Sequence, residues 1–161
     1  MRQLDRETLF DCAPDAFWKA FLDLEFNRRL YLDALSFREI DILEQTDTSR
    51  RMRAVPRLEL PGPLAKVLGD RFGYEERGQL DRPKGEWRWH TIPNAMGDKI
   101  KTEGILRIEA AGDGRCRRLD QVTIEAKVFG IGGLIESTAE KQLRASWEKE
   151  AVFTKGWLAK S

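Results

Sequence analysis

Residues 129–161, FGIGGLIESTAEKQLRASWEKEAVFTKGWLAKS, carry the longest helical signal in the chain, and what precedes them reads as strands for that helix to cover. A glycine-rich turn opens the stretch. The roughly 25 residues after it contain no proline, enough for about 40 Å of helix at 1.5 Å rise per residue. At a spacing of four, Ile131, Ile135, Ala139, Leu143 and Trp147 form one apolar row, with Leu134, Ala145 and Val152 on the other flank of the same broad face. Between the flanks run Thr138, Gln142, Ser146 and Glu150, and the opposite side carries Glu140, Arg144, Glu148 and Lys155. A polar midline pressed onto a dry sheet would cost roughly 2 kcal/mol or more for each group left without a hydrogen bond. The pattern predicts either a cavity beside the midline or a helix rotated until that row meets solvent.

Working back from this helix, the periodicity is mostly two. Arg2 to Asp11 alternates as a first strand, with Leu4, Thr8 and Phe10 on one parity. Pro14 and Asp15 then suit a helix start, and two apolar groups follow: Phe17, Trp18, Phe21 and Leu22, then Phe26, Leu30 and Tyr31. They predict two short helices meeting at an angle. A hairpin follows, one arm holding Ile40 and Ile42, a turn at 46–49, and the other arm running from Met52 through Pro56 to Leu60. Because proline cannot donate to a ladder, Pro56 predicts an edge strand or a bulge. PLAKVLG (63–69) is a short helical insertion, readable as a lid, with Leu64, Val67 and Leu68 on one face. Four alternating sets complete an antiparallel meander: Phe72/Tyr74, Trp87/Trp89, Leu106/Ile108 and Val122/Ile124/Ala126/Val128. Such a sheet needs its apolar face covered, and the last helix is the one element long enough.

Composition narrows the function. The 161 residues suit a single domain, 1–161, able to bury a core without staples. Lys and Arg number 28 against 27 for Asp and Glu, so bulk charge favours neither nucleic acid nor an anionic surface. Cys12 and Cys116 lie far apart in sequence without a CxxC pair, which gives neither a zinc knuckle nor a disulfide framework. The charged first ten residues and the short apolar runs predict a cytoplasmic protein with neither an export signal nor a spanning helix.

The order of strand, two short helices, about six antiparallel strands and long C-terminal helix resembles the START-related helix-grip superfamily, also called SRPBCC or Bet v 1-like. The phrases PLAKVLG, GEWRWHTIPNAMGDKIKTEGILRI and FGIGGLIE are similar to bacterial members of unassigned function. The resemblance implies an α+β fold, a curved sheet of six to seven strands gripping the last helix, with a cavity between them for lipids, sterols, polyketides or other apolar molecules.

No motif names a reaction. His90 is the only histidine and lies on the strand parity opposite Trp87 and Trp89, a surface or hinge position. Without a second histidine or a Gly-x-Ser-x-Gly elbow, neither a histidine metal site nor a Ser/His/Asp hydrolase is supported. The glycines at 130, 132 and 133 fail as a dinucleotide fingerprint, since its third glycine would fall at Ile135. They read instead as a hinge. Arg50, Arg51 and Arg53, and likewise Arg115, Arg117 and Arg118, read as solvated strand or turn positions. The expected function is binding or transfer of a hydrophobic small molecule, a lipid. Tyr74, Trp87, Trp89, Leu106, Ile108 and Ile135 would line its pocket, with Gln142, Ser146 and Glu150 as polar anchors. No cofactor, metal or nucleic acid is expected, and Leu64–Leu68 is the candidate for transient membrane contact. The alternatives are a polyketide cyclase or aromatase, with Glu150 or Tyr74 moving protons, and a protein-interaction module using the same groove.

Overall fold

The computed structural model describes residues 1–160; Ser161, the last residue of the expected domain, lies outside the described residues. Seven antiparallel strands form one sheet, β1 (Arg2–Phe10), β2 (Glu39–Gln45), β3 (Ser49–Val55), β4 (Tyr74–Asp81), β5 (Glu86–Pro93), β6 (Ile100–Ala110) and β7 (Cys116–Ala126). Their order is β1-β7-β6-β5-β4-β3-β2. All neighbours except β1 and β7 are consecutive in sequence, so the sheet is a meander whose first strand returns to pair beside the last. Between β1 and β2 lie α1 (Pro14–Phe21), α2 (Leu24–Arg29) and one π-helical turn (Leu30–Ala34). Helix α3 (Gly62–Leu68) follows β3, and α4 (Gly132–Ala159) closes the chain as 28 residues of unbroken helix. No helix among the described residues is long and apolar enough to cross a membrane.

Alternation assigns the faces. Leu4 and Phe10 of β1, Leu80 of β4, Trp87 of β5, Leu106 and Ile108 of β6 and Val122 and Ile124 of β7 are all buried on the concave side. Helix α4 uses two packing surfaces. Its first half lays Ile135 against Ile100 and Ala126, and Trp147 against Leu4, Val122 and Ile124 with Ala139 and Leu143 beside it. Its last turns place Phe153, Trp157 and Leu158 on Ala20, Phe26 and Leu30, with the Phe26 ring 5.3 Å from Phe153 and 5.5 Å from Trp157. The helix is therefore held by the sheet at one end and by α1 and α2 at the other.

Several expectations need correction. The apolar flank drawn through Leu134, Ala145 and Val152 is exposed, Val152 to 74%. The row starting at Ile131 already supplies enough apolar area for the sheet contact. Pro56 lies outside the ladder, because β3 ends at Val55 and has β2 and β4 on either side. The bulge is in β2, where the register shifts between Ile42 and Glu44. Leu64 and Leu68 of α3 are buried against Ile135, Ile100 and Ala126, leaving Val67 outward. The glycines after Phe129 serve close approach as well as turning. A Cβ on Gly132 would lie 2.4 Å from the Ala126 carbonyl oxygen, and the Glu136 carboxylate accepts from the Ala126 N–H at 2.9 Å, joining the helix start to β7. The two cysteines, distant in sequence, lie with their sulfurs 3.8 Å apart as free thiols.

Candidate functional site

The concave face is not uniformly apolar, and its polar residues fall into two groups. The first begins with β7, whose inward parity places Arg118 and Asp120 two residues apart on one side of the strand. Arg118 donates to both Asp120 carboxylate oxygens, from Nε at 2.8 Å and from its second terminal nitrogen at 3.1 Å. It donates to Glu150 of α4 at 2.7 Å, and its guanidinium also sits 5.9 Å from the Phe17 ring centroid. Burial by itself would lower the Arg118 pKa, but the charges of Asp120 and Glu150 outweigh it and keep the guanidinium protonated. Asp120 is raised from the usual aspartate range, burial outweighing its bonds to Arg118. Beside this trio, among Thr8, Phe10, Trp147 and Ala151, is a void of about 10 Å³, at most a single water's worth of space. Glu150 is thus engaged by an internal cation in a closed corner.

The second group lies on β3 and β4 and on the π-helical turn. Tyr74 and Glu76 occupy successive inward positions of β4, and Arg50 occupies one on β3. The Arg50 guanidinium is held over the rings of Phe21 and Trp87, 4.8 and 5.3 Å from their centroids, and donates to the Phe21 carbonyl at 3.0 Å. Ring faces compensate this buried charge in place of a carboxylate. Burial pushes the Tyr31 hydroxyl well above the ordinary tyrosine range, with Glu76 adding to the effect; the same two causes raise Tyr74. Glu76 is also raised, by burial first, with Arg50 opposing and Glu150 assisting. All three side chains are desolvated, yet each keeps part of its surface accessible, and none has a hydrogen-bond partner among the described residues. Deep position, partial accessibility and unpaired polar atoms coincide here, and among these expected site residues Tyr74 alone belongs to the group.

The remaining expected site residues scatter. Trp87, Leu106 and Ile108 lie in one dry cluster with Phe10, Phe17, Trp18, Leu80 and Cys116, under α1. Ile135 packs in the cluster beneath α3. Trp89 is half-buried and bridges the Trp87 and Trp147 clusters. Gln142 and Ser146 are half-buried on α4 in the same row as Glu150, without a hydrogen-bond partner among the described residues. His90 is exposed. Tyr31, Arg50, Glu76 and Arg118 were not expected at the site. Arg50 and Arg118, read as solvated, are 5% and 8% exposed, because the strand parity that turns Arg51, Arg53 and Arg117 away turns these two inward, while Arg115 lies in the turn before β7. Inward parity could have identified them, since Arg50 shares it with Met52 and Ala54, and Arg118 with Val122 and Ile124. Tyr31, read with Phe26 and Leu30 as part of an apolar helix face, carries no comparable signal.

No group of three or more candidate metal ligands occurs among the described residues. No curated protein matches the sequence significantly. Solved structures share the architecture at low identity. A Zhui aromatase/cyclase from Streptomyces sp. R1128 is 12% identical, covers 98% of this chain and 93% of its own, and has a TM-score of 0.72. Norcoclaurine synthase from Thalictrum flavum in complex with dopamine and hydroxybenzaldehyde is 14% identical over 99% and 88%, with a TM-score of 0.69. A START superfamily protein from Mycobacterium smegmatis is 13% identical over 98% and 97%, with a TM-score of 0.60. A family model described as protein of unknown function (DUF2505) matches residues 6–158. The chain belongs to that family, and its seven-stranded sheet gripping a C-terminal helix is the START-type helix-grip fold.

Proposed function

We propose that this protein binds a hydrophobic small molecule, a lipid or a compound of similar greasiness, in a cleft between α4 and the β3–β5 part of the sheet. The observation that carries this reading is the set of deep, partly accessible side chains, Tyr31, Tyr74 and Glu76, whose polar atoms have no hydrogen-bond partner among the described residues. A filled core would leave them neither surface nor unpaired polar atoms. Gln142 and Ser146 on α4, together with Trp89 on β5, are the wall residues, while Trp87, Leu106, Ile108 and Ile135 support the cleft from packed clusters. Glu150 contributes by positioning Arg118. That one solved structure of this fold is in complex with dopamine and hydroxybenzaldehyde supports the capacity of the architecture for small organic ligands. The fold alone does not fix a chemistry.

The test uses purified protein with N-phenyl-1-naphthylamine as fluorescent probe, and native mass spectrometry of the gently purified chain. Probe binding in the micromolar range is expected, and Gln142→Trp should weaken it at least about tenfold by filling space, with the midpoint of unfolding nearly unchanged. An unliganded mass together with no probe binding by the parent protein would refute the reading.

A further inference from the structure

Where β1 runs on towards α1, the chain is tied back to the start of β7. Phe10 is the ladder partner of Cys116, Asp11 accepts from the Arg115 Nε at 3.0 Å, and the Cys12 Sγ lies 3.8 Å from the Cys116 Sγ. Pairing, charge and sulfur contact thus hold residues 10–12 against residues 115–116, across a sequence separation of 104. We infer that Cys12 and Cys116 close into a reversible disulfide by exchange with a low-molecular-weight disulfide, stapling the entry of α1 to the first residue of β7. Bonded sulfurs stand about 2.05 Å apart, so the pair must approach by roughly 2 Å, a distance that side-chain rotation and a small backbone adjustment can supply. No group of three or more metal-ligating side chains occurs among the described residues, so the two thiols are not part of a metal cluster.

Access sets the order of events. Cys116 is fully buried in the cluster with Phe10, Phe17 and Trp18, whereas Cys12 packs at its margin and keeps part of its surface. The Cys12 thiolate attacks one sulfur of the small disulfide RSSR, whose S–S bond breaks and releases RS⁻. The Cys116 thiolate then attacks the Cys12 sulfur and expels the second RS⁻. Each cysteine gives up its proton and one electron, and RSSR is reduced to two RSH. Burial raises both thiols, Cys116 to about 12, so thiolate is scarce near neutral pH and the exchange is slow. The bond is equally slow to reopen, because a thiol of high pKa is a poor leaving group and the Cys116 sulfur is closed to reductant. The loop it closes takes in every element from α1 to β6, which restricts most of the unfolded chain. In the folded chain it fixes the end of α1 that delivers Phe17 and Trp18 to the dry cluster.

Treating the full chain with excess hydroxyethyl disulfide at about pH 8, where a raised thiol still yields some thiolate, tests this. The intact mass should fall by about 2 Da with no adduct retained, and neither thiol should react with iodoacetamide after denaturation. The midpoint of thermal unfolding should rise by roughly 5–15 °C and return on treatment with dithiothreitol. Cys12→Ser should stay unmodified and show no such rise, and Cys116→Ser should stop at a mixed disulfide on Cys12. If Cys116→Ser does not fold, the parent and Cys12→Ser decide the matter. A parent that stops at a mixed disulfide, crosslinks between chains or keeps both thiols would overturn the inference. A loss of about 2 Da with an unchanged midpoint would overturn the stapling role.

Discussion

Strand β4 has a wet end and a dry end, and the contrast between them organises the molecule. At the dry end, Leu80 sits opposite Trp87 in the ladder and shares a buried cluster with Phe10, Phe17 and Leu106. At the other end, on the same face of the same strand, Tyr74 and Glu76 keep accessible surface and unpaired polar atoms. Seven residues of one strand, Tyr74 to Leu80, thus span a packed core and a candidate binding cleft. What differs is the cover: α1 lays Phe17, Trp18 and Phe21 over the first, while Tyr31 of the π-helical turn and Glu150 of α4 lie near the second. A cleft in this fold is a place where cover is withheld.

The contrast can be broken most directly at Trp87. Trp87→Ala should cost about 3–5 kcal/mol of stability in denaturant unfolding, the usual range for deleting a buried tryptophan. A loss near 1 kcal/mol would mean that the dry end is as loosely filled as the wet one. Next in size is Arg118→Ala, which strands Asp120 and Glu150 without their cation and should cost about 3 kcal/mol or more. Burial already raises Asp120 in the parent, and without Arg118 the stranded carboxylates are relieved by taking up protons, so this loss should shrink as pH falls towards the carboxylate range. A pH-independent loss would show that packing rather than charge holds the trio.

A smaller effect, of opposite sign, is expected at the wet end. The folded Glu76 pKa is raised, so its contribution to stability is fully present below the unfolded value and is lost as pH rises through the folded one. Glu76→Gln should therefore flatten that part of the stability-versus-pH curve and be the more stable form on its alkaline side. Superimposable curves for parent and variant would place Glu76 in ordinary solvent. Smallest of all, His90→Ala on the convex surface should change stability by no more than about 0.5 kcal/mol and leave probe binding unchanged.

Most of the architecture was readable because periodicity reports which faces are covered. The row from Ile131 to Trp147, the two short helices and the meander all follow from it, and each is present. The site was less legible, for physical reasons. An arginine on an inward parity looks like an arginine in a turn until its neighbours are known, and the two aromatic rings that flank Arg50 come from other elements. Glu150 carried the expectation of a free acid, yet its partner lies 32 positions away on β7. Tyr31 depends on a single π-helical turn, a local irregularity with no hydrophobic period of its own. Pairings across long sequence separations and one-residue insertions are what composition and spacing leave out.

Finally, the indoles of β5 lie over positions where the neighbouring strands carry no side chain. A Cβ on Gly78 would come within 2.2 Å of the Trp87 ring, and one on Gly104 within 2.7 Å of the Trp89 ring; Gly104 is the direct ladder partner of Trp89, whereas Gly78 pairs with Trp89 and receives the Trp87 ring diagonally. The volume each ring occupies was vacated by its neighbour, so residue 78 and residue 87, and likewise 104 and 89, behave as joint choices. Related chains should change them together, a side chain appearing on one strand only where the ring on the next has shrunk. Such coupled substitution would let the width of the concave face vary within one fold.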